Sequence, residues 1–161
     1  MSEPMEQQSV IRVRERLALL GASGEVRRLD DSARTAKEAA DALGIEVGQI
    51  ASSLIFLADG APVLVIASGG HRVDTQMLAA ILEVAVIGKA SADDVRAATS
   101  FAIGGVPPFG HTTQLRVFVD PDLLQYDEVW AAAGTWNDNF GAAPADIVRV
   151  AGGVVTDLKR D

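Results

Sequence analysis

Apolar residues recur along the chain in two spacings, which together predict helices alternating with strands. The first helical spacing follows Ser9, a residue suited to cap a helix, and Gly21 is its natural end. The residues that share its apolar face are Val10, Val13, Leu17 and Leu20. We therefore expect a flexible tail over residues 1–8 and a single domain over residues 9–161.

Four further helices are predicted from residues that stabilise a first turn. Thr35 and Glu38 form a T-x-x-E capping box in front of an alanine-rich stripe, which Gly44 ends. The other three helices are expected to begin at residues typical of helix N-termini: Asp74, Ser91 and Pro144.

The clearest strand signal is a pair of nearly continuous apolar runs joined by a tight turn. Ile50 to Ala58 and Pro62 to Ala67 flank Asp59-Gly60, a dipeptide that favours a hairpin. Because both runs are apolar on both faces, they predict central strands. Shorter strands are expected at residues 25–29, 84–87, 115–120 and 129–133. This interleaving predicts a single α/β or α+β domain with a mixed sheet.

Composition narrows the chemistry that such a domain can carry. The 161 residues include 14 Lys and Arg, 22 Asp and Glu and no cysteine, giving a formal net charge of −8. The lack of cysteine excludes disulfides, thiolate metal sites and a cysteine nucleophile. The acidic balance argues against broad contact with a nucleic-acid duplex, which needs a cationic face. The polar N-terminus and short apolar runs predict a cytoplasmic protein that does not contact a membrane.

Few side chains could build a metal site or an activated nucleophile. His71 and Asp74 lie three residues apart, but the chain has only two histidines, so we expect no metal. The G-x-S-x-G, G-x-G-x-x-G and P-loop motifs do not occur, and we expect no cofactor. Trp130 and Trp136 are expected to pack in the core rather than to stack on bases.

The segment from Phe101 to Gln114, FAIGGVPPFGHTTQ, differs from the rest of the chain in holding three glycines and two prolines. Glycines let the main chain approach a ligand, and prolines keep the loop stiff. Such a loop can bind a carbonyl or a developing oxyanion with main-chain N–H groups. A rigid turn between a helix and a strand explains the same composition, and both interpretations stay open.

Three stretches of the chain are RTAKEAADALGIEVGQIASSLIF, VLVIASGGHRVD and GGVPPFGH. In this order they resemble the YbaK-type, prolyl-tRNA-synthetase-associated editing domain family, and the resemblance covers about residues 26–155. It implies a single domain with a curved, mixed and mostly antiparallel sheet flanked by helices.

The resemblance implies a free-standing trans-editing hydrolase, which cleaves the ester between a wrong amino acid and its tRNA, most often a tRNA for proline. The family's G-x-x-x-P motif falls on Gly104 to Pro108. Its main chain is expected to hold the aminoacyl carbonyl and the terminal ribose, while water attacks with help from the substrate's 2′-hydroxyl. The implied partners are the acceptor end of a mischarged tRNA and an aminoacyl-tRNA synthetase.

Site residues follow from the same resemblance. The residues expected to act in catalysis are Gly104, Gly105, Pro108 and His111. The residues expected to bind substrate are Ser52, Val106, Pro107, Gly110, Lys89 and Asp138. Ser52 departs from the family pattern QI-x-K-[ST]-L, in which lysine stands at this position. A hydroxyl supplies no charge for a phosphate.

Several alternatives stay open at this point. Lys89 and Arg72 can supply the missing cation or can be solvated surface charges. His111 can orient water or the ribose hydroxyl, or it can bond to carbonyls of its own loop. The serine at position 52 also fits a non-catalytic module that binds aminoacyl-tRNA or a nucleotide-like ligand. A deacylase of small acyl esters is a third interpretation.

Overall fold

Pairing between distant segments builds the sheet in the computed structural model, which describes residues 5–19, 26–30, 35–111 and 113–160. The described strands are β1 (Val26–Arg28), β2 (Ile50–Ala58), β3 (Ala61–Ser68), β4 (Arg72–Val73), β5 (Ile87–Lys89), β6 (Arg116–Val119), β7 (Val129–Ala132), β8 (Asp138–Ala142), β9 (Val154–Val155) and β10 (Lys159–Arg160). Eight of them form one sheet, in which β1, β8, β7, β2, β3, β6 and β9 are successive neighbours and β5 also pairs with β2. β4 and β10 form a separate pair.

The hairpin of β2 and β3 lies at the centre of this sheet. Asp59 and Gly60 form its turn with φ values of 46° and 87°, the positive values that a tight two-residue hairpin turn requires. β2 also pairs with β5, and β8 with both β1 and β7, in antiparallel fashion. The parallel pairs are β2–β7, β3–β6 and β6–β9. The predicted central hairpin and the mixed, mostly antiparallel sheet are confirmed.

The described helices are α1 (Met5–Leu19), α2 (Ala36–Leu43), α3 (Thr75–Leu82), α4 (Ala92–Thr99) and α5 (Pro144–Ala151). The capping box of α2 is present, with Glu38 N–H donating to Thr35 Oγ1 at 3.1 Å and Thr35 N–H donating to the Glu38 carboxylate at 3.2 Å. Asp74 and Ser91 accept bonds from first-turn N–H groups as predicted, and Pro144 opens α5. None of the described helices is long and apolar enough to cross a membrane.

The start of α1 differs from the prediction. The helix begins at Met5, so residues 5–8 are helical rather than a tail, while residues 1–4 and the predicted end at Leu20 and Gly21 lie outside the described residues. Ser9 is not a cap but is 5% exposed inside the helix. A Cβ at Gly134 would come within 2.8 Å of the Ser9 carbonyl. Ser9 is therefore buried by close packing against the turn that contains Gly134.

Two strands depart from the sequence pattern. The strand predicted at residues 84–87 is misplaced, since β5 covers Ile87–Lys89. The Asp59 carboxylate accepts hydrogen bonds from Ala85 and Val86 N–H at 3.3 and 2.9 Å, which holds these residues in a turn beside the hairpin. The pattern predicts no strand at β8, because its sequence DNFGA contains only one large apolar residue, Phe140. The strands predicted at 25–29, 115–120 and 129–133 are present, and each end lies within one residue of its predicted position.

Helices cover both faces of the sheet. Residues of α1, α4 and α5, including Val13, Val95 and Ile147, join the largest apolar cluster on one face, which we call the α1 face. Residues of α2 and α3, including Ala40 and Leu78, pack on the opposite face, which we call the α2 face. β3 is therefore buried on both sides from residue 63 to residue 68, as its continuous apolar run predicts. β2 is buried at both ends, but Leu54 in its middle is exposed, so the prediction for β2 is only partly confirmed.

Candidate functional site

The edge of β2 that faces away from β3 is only partly paired. β7 pairs with Ile50 and Ala51 on this edge, and β5 pairs with residues 56–58. No described strand pairs with residues 52–55 between them, and we call this segment the β2 gap. Gly69 N–H donates to the Ile50 carbonyl at 2.7 Å, which directs the main-chain groups of even-numbered β2 residues toward β3. The N–H and C=O of Ser53 therefore point into the β2 gap.

A cavity of about 420 Å³ opens at the β2 gap. Its walls come from five parts of the fold: β2, the first turn of α2, the segment from Lys89 to α4, the loop at residues 103–106 and the turn between β7 and β8. Because these parts lie far apart in sequence, the cavity exists only once the sheet and its helices have assembled.

One compartment of the cavity lies on the α1 face. Side chains alternate along a strand, so Ser53 shares a face with Ala51 and Ile55, which both belong to the main core. The other walls of this compartment are Ala90, Val95 and Val106. It is therefore aliphatic apart from the Ser53 hydroxyl.

A second compartment lies on the α2 face. Asn139 pairs with Ala132 across β7 and β8, and both alternate with residues of the main core, so they face the α2 side. Ala36 and Ala39 of α2 and the even-numbered residues 50–56 of β2 add to its walls, and the half-buried Trp136 also lines the cavity. The two compartments meet at the β2 gap.

Two buried side-chain atoms at this cavity have no hydrogen-bond partner. They are Ser53 Oγ and Asn139 Nδ2, and no other buried side-chain nitrogen or oxygen of the described residues lacks a partner. Both residues line the cavity, and Asn139 is only 6% exposed. Buried polar groups are nearly always paired, so exceptions that converge on one cavity point to a ligand.

The glycine- and proline-rich loop contributes one wall through its first half. Ile103, Gly104 and Val106 line the cavity, and Gly104 has a φ of 87°, a conformation that favours glycine. Gly105 turns away and packs on the β7–β8 turn, where a Cβ would lie 2.6 Å from Thr135 Cα. Gly134 N–H also donates to the Gly105 carbonyl at 3.1 Å, which fastens the loop to that turn.

The second half of the loop lies behind this wall. Pro107, Pro108, Gly110 and His111 are not among the residues that line the cavity, and both prolines are buried. His111 Nε2 lies 2.7 Å from the Pro107 carbonyl, so the ring donates a hydrogen bond within its own loop. Burial lowers the pKa of His111, although the Pro107 carbonyl favours the protonated form. The imidazole is thus held neutral with its Nε2–H committed to the loop.

Asp138, an expected substrate-binding residue, is buried behind the cavity. Arg28 donates to its two carboxylate oxygens at 3.1 and 2.8 Å, and the Thr135 hydroxyl also donates to it. This network joins β1 to the turn that supports Gly105. The structure therefore places Asp138 in support of the loop and not on the cavity wall.

The charged and hydroxyl-bearing residues predicted to contact substrate lie in two different places. Ser52 and Lys89 both line the cavity. Lys89 is exposed, and it is the only lysine or arginine among the described residues that line the cavity. Arg72 lies on β4 beside a separate small depression and does not reach the cavity. Of the two cations predicted from the sequence to replace the family's lysine, only Lys89 lines the cavity.

Several lining residues are missed by the sequence patterns. Trp136 lines the cavity instead of packing in the core as predicted, whereas Trp130 packs beside α2. Asn139 belongs to no motif, and Ser53 falls on the [ST] position of the family pattern QI-x-K-[ST]-L without being among the predicted site residues. A usable signal is the Ser52-Ser53 pair, because two hydroxyls in the middle of an otherwise apolar central strand need an explanation.

His71, Asp120 and Asp122 form a second polar group, which we call the His71 cluster. His71 Nδ1 lies 2.9 Å from Asp120, which also accepts from Ser68 and Asp122 N–H at 3.0 and 2.9 Å. Burial alone would raise the pKa of Asp120, but these hydrogen bonds outweigh it and lower the pKa. Asp74, the residue considered with His71 from the sequence, caps α3 instead. Lys159 lies 3.5 Å from Asp122 and supplies positive charge there already.

Several known proteins are similar to this chain in sequence. A family model of the aminoacyl-tRNA editing domain matches residues 30–150. The uncharacterized protein YwhH of Bacillus subtilis (strain 168) is 28% identical over 124 residues, which are 76% of this chain and 78% of YwhH. The proline–tRNA ligase of Bacillus licheniformis is 32% identical over 104 residues, which are 62% of this chain and 18% of the ligase.

A solved structure extends the likeness over the whole chain. The "crystal structure of a putative trans-editing enzyme for prolyl tRNA synthetase" is 41% identical, has a TM-score of 0.89 and covers 100% of both chains. The match to the family model confirms the resemblance inferred from three sequence motifs. The matched residues include most of the sheet and every wall of the cavity. The chain belongs to the aminoacyl-tRNA editing domain family.

Proposed function

We propose that this protein is a trans-acting deacylase, which hydrolyses the ester of a mischarged tRNA for proline. The observation that carries the proposal is the cavity at the β2 gap, where main-chain polar groups meet a glycine-rich wall at Gly104. Membership of the editing domain family supports the reaction class. The matches to a proline–tRNA ligase and to the trans-editing structure support the choice of tRNA.

Different walls of the cavity bind different parts of an aminoacylated 3′ end. The Trp136 ring on the cavity wall offers a surface for the terminal base, and aromatic rings stack on any base. Lys89 lies on the wall as a cation for a phosphate, and Ser52 adds a hydroxyl. The formal net charge of −8 then limits contact with tRNA to its acceptor end.

Hydrolysis at this site needs positioning and charge stabilisation more than a protein nucleophile. Water adds to the ester carbonyl, the bond to the ribose oxygen breaks, and the products are a free amino acid and an uncharged tRNA. The 2′-hydroxyl of the terminal ribose assists the water and takes part in proton transfer. Main-chain N–H groups at the cavity stabilise the oxyanion that develops on the carbonyl.

Deacylation of a panel of mischarged proline tRNAs tests the proposal. The variant Gly104→Ala places a Cβ at the cavity wall, 3.6 Å from Trp136 Cβ, and strains a φ of 87°. We expect kcat/KM to fall about 100-fold or more. Gly60→Ala is the matched control, because its φ is also 87° and it lies in open space at the hairpin turn.

One result would contradict the deacylase, and another would contradict the placement of its site at the Gly104 wall. One is that no mischarged proline tRNA is cleaved faster than in buffer. The other is that Gly104→Ala and Gly60→Ala lose the same amount of activity, because that equality would mean the loss comes from backbone strain and not from the cavity wall.

A non-catalytic binding module is the second candidate function, favoured by Ser52 on the cavity wall at the family's lysine position. In that case a non-hydrolysable aminoacyl-adenosine analogue binds, wild-type protein does not turn over mischarged tRNA, and Ser52→Lys creates turnover. Rapid turnover by the wild type would eliminate this candidate.

A further inference from the structure

Ser53 stands apart from the other residues of β2 because all three of its polar groups lack a partner among the described residues. Its main-chain N–H and C=O point into the β2 gap, where no described strand pairs with them. Its side-chain Oγ is buried and also unpartnered. Main-chain N–H and C=O groups are strong hydrogen-bonding groups, so an unpaired N–H and C=O on the wall of a cavity are available to an external partner.

Resting on the proposed function, we propose that Ser53 holds the aminoacyl group of the substrate as a one-residue strand in the β2 gap. The α-ammonium of the aminoacyl ester donates to the Ser53 carbonyl, and the ester carbonyl accepts from Ser53 N–H. In an antiparallel hydrogen-bonded pair, two residues exchange both of these bonds. An aminoacyl ester carries a nitrogen donor and a carbonyl on either side of one Cα, which is the same arrangement.

This pairing gives Ser53 N–H a role in the reaction as well as in binding. The carbonyl that accepts the bond is the one that water attacks, and its oxygen gains negative charge in the transition state. A main-chain N–H fixed within a sheet needs no reorganisation to stabilise that charge. Ser53 N–H is then one donor of the oxyanion site, across the cavity from the Gly104 wall.

The pairing also fixes where the amino acid side chain lies. Paired residues of neighbouring strands direct their side chains to the same face, so the substrate side chain enters the compartment on the α1 face beside Ser53 Oγ. The walls there are Ala51, Ala90, Val95 and Val106. A small L-amino acid fits this placement, whereas the D-isomer directs its side chain away from this compartment.

Binding of two non-hydrolysable adenosine amides tests the ammonium contact without any turnover. They are 3′-(L-alanylamino)-3′-deoxyadenosine and its 3′-propionylamino counterpart, which differ only by the α-ammonium. Because a hydrogen bond to a charged group is worth about 1.5–3 kcal/mol, we expect the alanyl compound to bind at least about tenfold more tightly. Equal affinity in a calorimetric titration would overturn the proposal.

The same titration keeps the two proposals separable. If the alanyl compound is preferred but no mischarged tRNA is hydrolysed, the deacylase fails and the pairing at Ser53 stands. If tRNA is hydrolysed but both amides bind equally, the deacylase stands and the pairing at Ser53 fails.

Two variants at Ser53 separate its main-chain N–H from its hydroxyl. Ser53→Pro removes the N–H that faces the gap but no hydrogen bond of the sheet, a position where proline is tolerated. We expect deacylation to fall at least about 100-fold, with the unfolding transition still cooperative. Ser53→Ala keeps the N–H and should lose no more than about tenfold. Near wild-type turnover by a folded Ser53→Pro protein would overturn the proposal, and the amide titration decides the matter if that variant does not fold.

The placement of the side chain has its own matched pair of variants. Ala90→Val narrows the compartment on the α1 face, and Ala36→Val narrows the one on the α2 face. We expect Ala90→Val to lower kcat/KM for 2-aminobutyryl-tRNA about tenfold more than for alanyl-tRNA. Ala36→Val should affect both substrates equally, and the reverse pattern would contradict the assigned direction.

Discussion

Two polar regions of this protein differ in residue type and in whether their groups have hydrogen-bond partners. In the His71 cluster, Asp120 accepts bonds from His71 and from two main-chain N–H groups. At the cavity, Ser53 Oγ and Asn139 Nδ2 are buried without partners. The His71 cluster has the histidine and carboxylates that a search for chemistry would choose first, yet its groups satisfy one another. In this protein, buried polar atoms without hydrogen-bond partners indicate the ligand site better than residues of a reactive type do.

The largest expected effect is on stability and comes from the His71 cluster. Asp120→Ala removes the acceptor of three hydrogen bonds and should lower the free energy of unfolding by about 3 kcal/mol, measured by urea denaturation. Deacylation per folded molecule should stay within about twofold of the wild type, because the cluster lies outside the cavity. A stable Asp120→Ala protein with impaired turnover would reverse the comparison between the two regions.

At the cavity, the expected loss is in activity and not in stability. Lys89→Ala should raise KM for mischarged tRNA about tenfold and reduce the slope of log affinity against log salt by about 0.7, the share of one phosphate on a single strand. Lys37→Ala is the control, since Lys37 is exposed on α2 and does not line the cavity. Equal effects of the two variants would show that only general charge matters.

His111 has a hydrogen-bond partner, the Pro107 carbonyl, and its lowered pKa leads us to expect that the stability of the protein depends on pH. Its pKa is lowered in the folded protein, so the unfolded chain binds a proton first as pH falls. The stability is therefore complete above the ordinary histidine value of about 6.5 and declines below it, by at most about 1.4 kcal/mol per pH unit. His111→Gln should flatten this decline between pH 6.5 and 5 in denaturation curves. An unchanged slope would mean that His111 is not the group responsible.

The smallest expected effect is on the stability of variants at the two unpartnered atoms. Ser53→Ala and Asn139→Ala remove groups that have no partner to lose, so the free energy of unfolding should change by only about 0.5 kcal/mol, apart from packing lost at Asn139. A loss above about 2 kcal/mol for Ser53→Ala would show that its hydroxyl is satisfied in solution and would weaken the contrast with Asp120.

Much of the local structure could be predicted because its causes lie within a few residues. The Thr35–Glu38 capping box and the Asp59-Gly60 turn depend on side chains and φ values at neighbouring positions, and both are present. The prediction that Ser9 caps a helix is wrong because the cause of its burial is distant in sequence. Ser9 lies inside α1 and packs against the turn that contains Gly134, which the local pattern around Ser9 does not show.

The candidate site could be predicted only in part for the same reason. Composition points to the glycine- and proline-rich loop, and Gly104 and Val106 do lie on the cavity wall. The family resemblance adds His111 and Asp138, but these two residues bond to the Pro107 carbonyl and to Arg28 and do not line the cavity. Asn139 reaches the wall through β8, a strand whose sequence has too little apolar character to be recognised, and Trp136 reaches it through the turn before that strand.

The sequence by itself therefore determined the caps of α2, α3 and α4, the central hairpin, the glycine- and proline-rich loop and the family, since each is written in contiguous residues. Only the tertiary structure decided where the chain keeps an opening for a ligand. The β2 gap exists because the pairing of β2 with β7 ends at Ala51 and its pairing with β5 begins at Phe56. β5 and β7 come from segments about 40 residues apart in the chain. Strand pairing is a non-local property, so the absence of a partner at Ser53 cannot be read from β2 alone.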